Sequence, residues 1–133
     1  VPDGGGCALT CATRGSARNL AGSRRSPRPP DLDGVAPLLR DDYADHGLPF
    51  RTATKADWLA AARLLPLADL RIDIRRLTAE EDYVTMFSRR WLPATGLDIA
   101  VADIFRIEDG LIAERWEVVE QIQPDAPNPV ATL

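Results

Sequence analysis

The chain has 133 residues, 45% of them apolar and 27% charged, with a formal net charge of −4. That length suits one domain, with enough buried surface for one core and one pocket. No apolar run reaches the ~18–20 residues that a membrane helix needs, so no membrane partner is expected.

The charge is unevenly spread. Residues 1–30 carry five Arg and one Asp, while the remainder carries eleven basic and nineteen acidic residues. An acidic body argues against nucleic acid as a partner, since phosphate binding needs a basic surface. The first thirty residues are rich in Gly, Ser, Arg and Pro and read as a poorly ordered basic segment; residues 31–133 read as the domain. No apolar stretch follows the basic start as in a secretory leader, so a cytoplasmic location is expected. Cys7 and Cys11 lie in the basic segment as C-x3-C without a nearby His, a poor metal signal, and read as free thiols. Fifteen Arg against one Lys, Lys55, suggest a GC-rich, bacterial source.

From Asp31 the pattern strengthens. Asp31 or Asp33 is placed to cap a short helix through about Asp42, with Pro37 near its first turn. Tyr43–Pro49 reads as an extended stretch and loop. Thr54, three positions before Asp57, opens a second helix with Trp58, Ala61, Ala62 and Leu65 at helical spacing, and Pro66 ends it. Four strands follow, over Asp69–Leu77, Tyr83–Trp91, Leu97–Ile107 and Leu111–Ile122. Asp109-Gly110 between the last two is a two-residue hairpin signal, because both positions of that turn need positive φ. Helices first and an antiparallel sheet after them predict an α+β fold with the helices on one face of the sheet.

Pairing outward from Asp109-Gly110 without interruption sets Arg106 opposite Ala113 and Ala102 opposite Glu117. Opposed residues share a face and faces alternate. One face then carries Ala100, Ala102, Ile104, Arg106, Arg115 and Glu117; the other carries Asp103, Phe105, Ile107, Ile112 and Trp116. Pattern alone favours the bulky second face as core. The opposite assignment makes a pocket around Glu117, floored by the small Ala100 and Ala102.

Residues 103–124, DIFRIEDGLIAERWEVVEQIQP, resemble the C-terminal hairpin of SnoaL-like proteins in the nuclear transport factor 2-like superfamily. The agreement runs through Asp103, Phe105, Arg106, Asp109, Gly110, Ile112, Glu114, Trp116, Val118 and Gln121. DDYADHG, residues 41–47, and DYV, residues 82–84, resemble two further segments of that family. The resemblance implies a cone: a curved antiparallel sheet wrapped around N-terminal helices, enclosing a pocket. It further implies a homodimer packed through the outer sheet face, here Phe105, Ile107 and Trp116. By the same resemblance, Glu117 is the pocket acid and His46, the chain's only histidine, corresponds to the family's histidine.

Each candidate carries two readings. Glu117 is either a general base or acid, or an ion-pair partner of Arg115 or Arg106 that such a guanidinium would keep ionised. His46 is a proton shuttle or a loop histidine bonded to backbone. Tyr43 is a donor to a developing oxyanion or a core residue. Trp58, Ala102, Ile104 and Arg115 are placed as substrate-binding wall, and Asp103 as an outer-face structural residue. No phosphate loop, dinucleotide fingerprint, serine elbow or metal cluster occurs, so neither cofactor nor metal is expected. The expected function is acid–base chemistry on a small apolar molecule, as an isomerase, aldol-type cyclase or hydratase resembling epoxide hydrolases. The alternatives are a non-catalytic binder of the same fold and a dimerising module with a filled interior.

Overall fold

The computed structural model describes residues 29–47, 51–125 and 127. All but the last two residues of the basic segment, including Cys7 and Cys11, lie outside them, as does most of the proline-rich tail.

The chain enters through one helical turn, α1 (Leu32–Val35), capped by Asp31, whose carboxylate accepts from the Gly34 amide at 3.1 Å. A 3-10 turn over Ala36–Leu38 contains Pro37 and leads directly into strand β1 (Leu39–Asp45). The helix expected to run to Asp42 therefore stops at Leu38. Nucleating a single turn is costly and little helix follows to offset it, whereas Leu39, Tyr43 and Asp45 each become buried when the segment extends. Helix α2 (Lys55–Ala62) begins where the sequence places it, with the Thr54 hydroxyl accepting from the Asp57 amide at 3.1 Å. Strands β2 (Arg71–Glu80), β3 (Tyr83–Leu92), β4 (Leu97–Glu108) and β5 (Leu111–Gln121) complete the fold. The β4–β5 turn takes the expected geometry, with Asp109 at φ 53° and Gly110 at φ 78°.

The five strands form one curved sheet in the order β1-β5-β4-β3-β2. It is mixed rather than wholly antiparallel, because β1 runs parallel to β5. α2 lies against β1, with the Trp58 and Tyr43 rings edge-on at 5.7 Å.

One irregularity decides which side chains face inward. Ile107 opposes Ile112, but Arg106 opposes Glu114, so Ala113 is an extra residue in β5. Beyond this bulge Phe105 meets Arg115, Asp103 meets Glu117, and Ala102 meets Val118. The uninterrupted pairing expected from the sequence is therefore off by one residue along most of the hairpin, which moves β4 side chains to the opposite face. A second bulge at Arg75 separates Ile74–Ser88 from Arg76–Phe87 and bends β2 against β3.

Candidate functional site

The inner face of the sheet and α2 enclose a cavity of about 380 Å³. Its walls are mostly apolar: Leu38, Leu39, Trp58, Ala62, Leu70, Ile72, Val84, Met86, Phe105 and Ile112 contribute. The polar lining is a single patch of Tyr43, Asp45, Arg90, Asp103, Arg115 and Glu117.

These six side chains form one network. Arg115 is its hub. Its Nε donates to Asp103 Oδ1 at 2.7 Å, Nη1 to Asp45 Oδ2 at 2.7 Å, and Nη2 to Glu117 Oε1. Arg90 supports the same acids from β3, with Nη1 donating to Glu117 Oε1 at 3.0 Å, Nη2 to Asp103 Oδ2, and Nε to Ser88 Oγ at 3.3 Å. The Tyr43 hydroxyl donates to Asp45 Oδ2 at 3.1 Å, and the Gly47 amide donates to Asp45 Oδ1 at 2.7 Å. Asp103 is fully buried and Asp45 nearly so. A buried carboxylate is tolerable only when its lone pairs are satisfied, and the two guanidiniums do that here.

Burial works against the charge on Arg115, but Asp103, Asp45 and Glu117 outweigh it and raise its pKa. Burial, and then the Asp45 carboxylate, push the Tyr43 phenol up as well. Tyr43 thus keeps its proton and spends it on Asp45, where the sequence suggested a donor aimed at substrate.

A family model, the SnoaL-like domain, matches residues 28–115. The chain belongs to the SnoaL-like family. Solved structures agree on its cone-shaped fold. A candidate ketosteroid isomerase from Kribbella flavida superposes with a TM-score of 0.65 at 16% identity, covering 95% of this chain and 87% of that one. An NTF2-like protein from Burkholderia xenovorans gives 0.67 at 14%, covering 90% and 87%. An LEH-like epoxide hydrolase of M. tuberculosis gives 0.55 at 19%, covering 68% and 71%. A comparison with curated protein sequences finds no match.

In this SnoaL-like chain Tyr43, Trp58, Arg115 and Glu117 come together around the cavity. Ala102 and Ile104 do not. They alternate with Asp103 and Phe105, which line the cavity, and so project from the outer face. Asp103, expected outside, is inside for the same reason, and so is Phe105, which was expected at a dimer contact. Ile107 opposes the cavity residue Ile112 and shares its inner face.

His46 also falls outside the cavity. It follows the inward-facing Asp45 in extended chain and turns the other way. Its ring stacks on Trp116 at 5.2 Å, and Nε2 lies 3.1 Å from Glu114 Oε2. The structure therefore separates it from Glu117.

Sequence reasoning did not single out Asp45, which lies where an extended stretch and loop were expected, and did not assign Arg90 to the cavity. Among the described residues no group of three or more His, Cys, Asp or Glu side chains is arranged to hold a metal ion. None of the described helices is long and apolar enough to cross a membrane.

The outer network carries a pH dependence. Hydrogen bonds from Arg106 and then His46 hold the Glu114 carboxyl below its ordinary pKa. An unfolded glutamate titrates near 4.3, so this pairing stabilises the fold above that pH and is lost as pH falls through the lower folded value. Glu114→Gln is expected to flatten the decline of Tm on acidification from about pH 5 to 3, measured by thermal scans of both proteins across that range.

Proposed function

We propose that the cavity binds a small, largely apolar molecule and that its polar patch performs acid–base chemistry on it. The reaction class is proton transfer next to a carbonyl, as in isomerisation or aldol-type cyclisation, or activation of a water. The observation that carries this reading is the grouping of three carboxylates on two guanidiniums at one patch of an otherwise apolar cavity. Solved relatives described as a candidate ketosteroid isomerase, an epoxide hydrolase and a candidate polyketide cyclase from Bacillus cereus are consistent with that range.

Roles follow from the bonding. Asp103 and Asp45 each have both oxygens engaged within the patch, which suits them to hold the guanidiniums in place. Glu117 also accepts from both guanidiniums, and the longest side chain of the three acids carries its carboxylate furthest from its strand. Glu117 is the group we assign to proton transfer, with Arg90 and Arg115 stabilising negative charge that develops on a substrate oxygen. The test is a panel of β,γ-unsaturated ketones, aldol-competent diketones and epoxides. Glu117→Gln keeps the shape and is expected to lower turnover of whichever substrate responds by about 10²–10⁴-fold.

One observation favours a second reading, a non-catalytic binder. Convergence of Arg90 and Arg115 on Glu117 Oε1 is what a purely structural ion-pair cluster would also show. In that case ligands bind and none is turned over. The cavity volume exceeds the ~300 Å³ lower bound of ordinary ligand pockets, which supports either reading over a module with a filled interior.

We further propose a homodimer through the outer sheet face, with Ile104, Trp116 and Val118 in place of the inward Phe105 and Ile107. Val118 is 64% exposed in the single chain, and an isologous pair would cover this patch on both copies. Trp116→Glu is expected to convert a dimer to a monomer in sedimentation; an unchanged sedimentation coefficient contradicts that interface.

A further inference from the structure

Gly47 lies two residues past the end of β1, next to His46, where the backbone passes close to the carboxylate patch. Its amide donates to Asp45 Oδ1 at 2.7 Å. A Cβ built at this position would stand 3.0 Å from each of three atoms: Asp45 Oδ1, Glu117 Cβ and Glu117 Oε2. Such distances are shorter than ordinary van der Waals contact, so something would have to yield.

None of the three can yield cheaply. Asp45 is held through its other oxygen by Arg115 and Tyr43. Glu117 Cβ is fixed by the backbone of β5 where Glu117 opposes Asp103. Glu117 Oε2 belongs to a carboxylate whose other oxygen is held by Arg90 and Arg115. A side chain at 47 therefore displaces the carboxyl of Glu117, the carboxyl of Asp45, or the strand itself.

We propose that Gly47 is a positioning residue for the site: its amide fixes Asp45, and its missing side chain makes the room in which the Glu117 carboxylate sits. Its importance for turnover rests on the acid–base reading above; its effect on Glu117 does not.

The test is a double-mutant cycle on the full chain, read first by thermal unfolding. Gly47→Ala is expected to lower Tm by about 3–6 °C. In a Glu117→Asp background, where the carboxylate retracts by one methylene, the same change is expected to cost clearly less, because one of the three contacts is relieved. A glycine needed only for local backbone packing would give equal losses in both backgrounds, and additivity of that kind overturns the proposal, as does a Gly47→Ala protein as stable as the parent. Should Gly47→Ala alone fail to fold, the double variant decides: a folded double variant supports the coupling and an unfolded one refutes it. Once a substrate is in hand, Gly47→Ala is expected to lower kcat about tenfold or more with KM little changed. Thermal coupling with kcat intact would keep Gly47 as the residue that places Glu117 and count against Glu117 as the proton-transfer group.

Discussion

Replacing Arg115 by leucine is expected to cost about 3–5 kcal/mol of folding free energy, the range seen when one partner of a buried ion pair is removed. Total stability of a domain this size is about 5–15 kcal/mol, so the variant should be at the edge of folding. The reason lies in what Arg115 touches. It is the one side chain in contact with all three acids of the patch among the described residues. Without it Asp45 loses its guanidinium donor, and Asp103 and Glu117 each lose one of the two guanidiniums that bind them. The comparison is Arg89→Leu. Arg89 pairs with Asp98 at 2.6 Å, but both side chains are about a third exposed, and such pairs contribute at most about 1 kcal/mol. Urea unfolding of the two variants beside the parent checks the contrast, and similar losses for both would show that the patch is not the buried, mutually dependent network described.

Deleting Ala113 is expected to leave the patch in place. Ala113 is the residue that β5 has in excess over β4. Without it Glu114 follows Ile112 directly, and an uninterrupted ladder from Asp109-Gly110 keeps Arg106 opposite Glu114, Phe105 opposite Arg115 and Asp103 opposite Glu117, the pairs already present. Regular alternation then holds Arg115 and Glu117 on the same face as Ile112, toward the cavity. The loss is the buried Ala113 and the local twist of the bulge, about 1–3 kcal/mol, and the cooperative unfolding transition in circular dichroism is expected to remain. A deletion variant without that transition would contradict the register given to the hairpin.

That bulge also marks how far the sequence could be read. Strand positions were legible because alternation in 71–80, 83–92, 97–108 and 111–121 is strong, and Asp109-Gly110 announces its own turn. The start of α2 was legible because Thr54 and Asp57 make a cap that needs only local geometry. Which face each β4 residue takes was not legible, because one extra residue in β5 leaves no compositional trace in an alternating strand. A hint existed: the uninterrupted register sets Asp103 among Phe105, Ile107 and Trp116 with no positive partner on that face, a conflict that a bulge resolves. Assigning Glu117 to the cavity came from the family resemblance rather than from pattern, which favoured the other face. Asp45 was hidden because Leu39–Asp45 has polar residues at Arg40–Asp42 and pairs in parallel with a strand some seventy residues later, a contact no local signal records. His46 was drawn toward the cavity by the same resemblance, and backbone alternation beyond Asp45 places it on Trp116 instead.

The central claim is that the Glu117 carboxylate, seated among guanidiniums in an apolar cavity, transfers the proton. Its most direct test is kcat/KM against pH for the parent and Glu117→Gln on one responding substrate. The Glu117→Gln profile is predicted to lie at least about a hundredfold below the parent's near neutrality. A Glu117→Gln profile that overlays the parent's in both height and shape would contradict the claim.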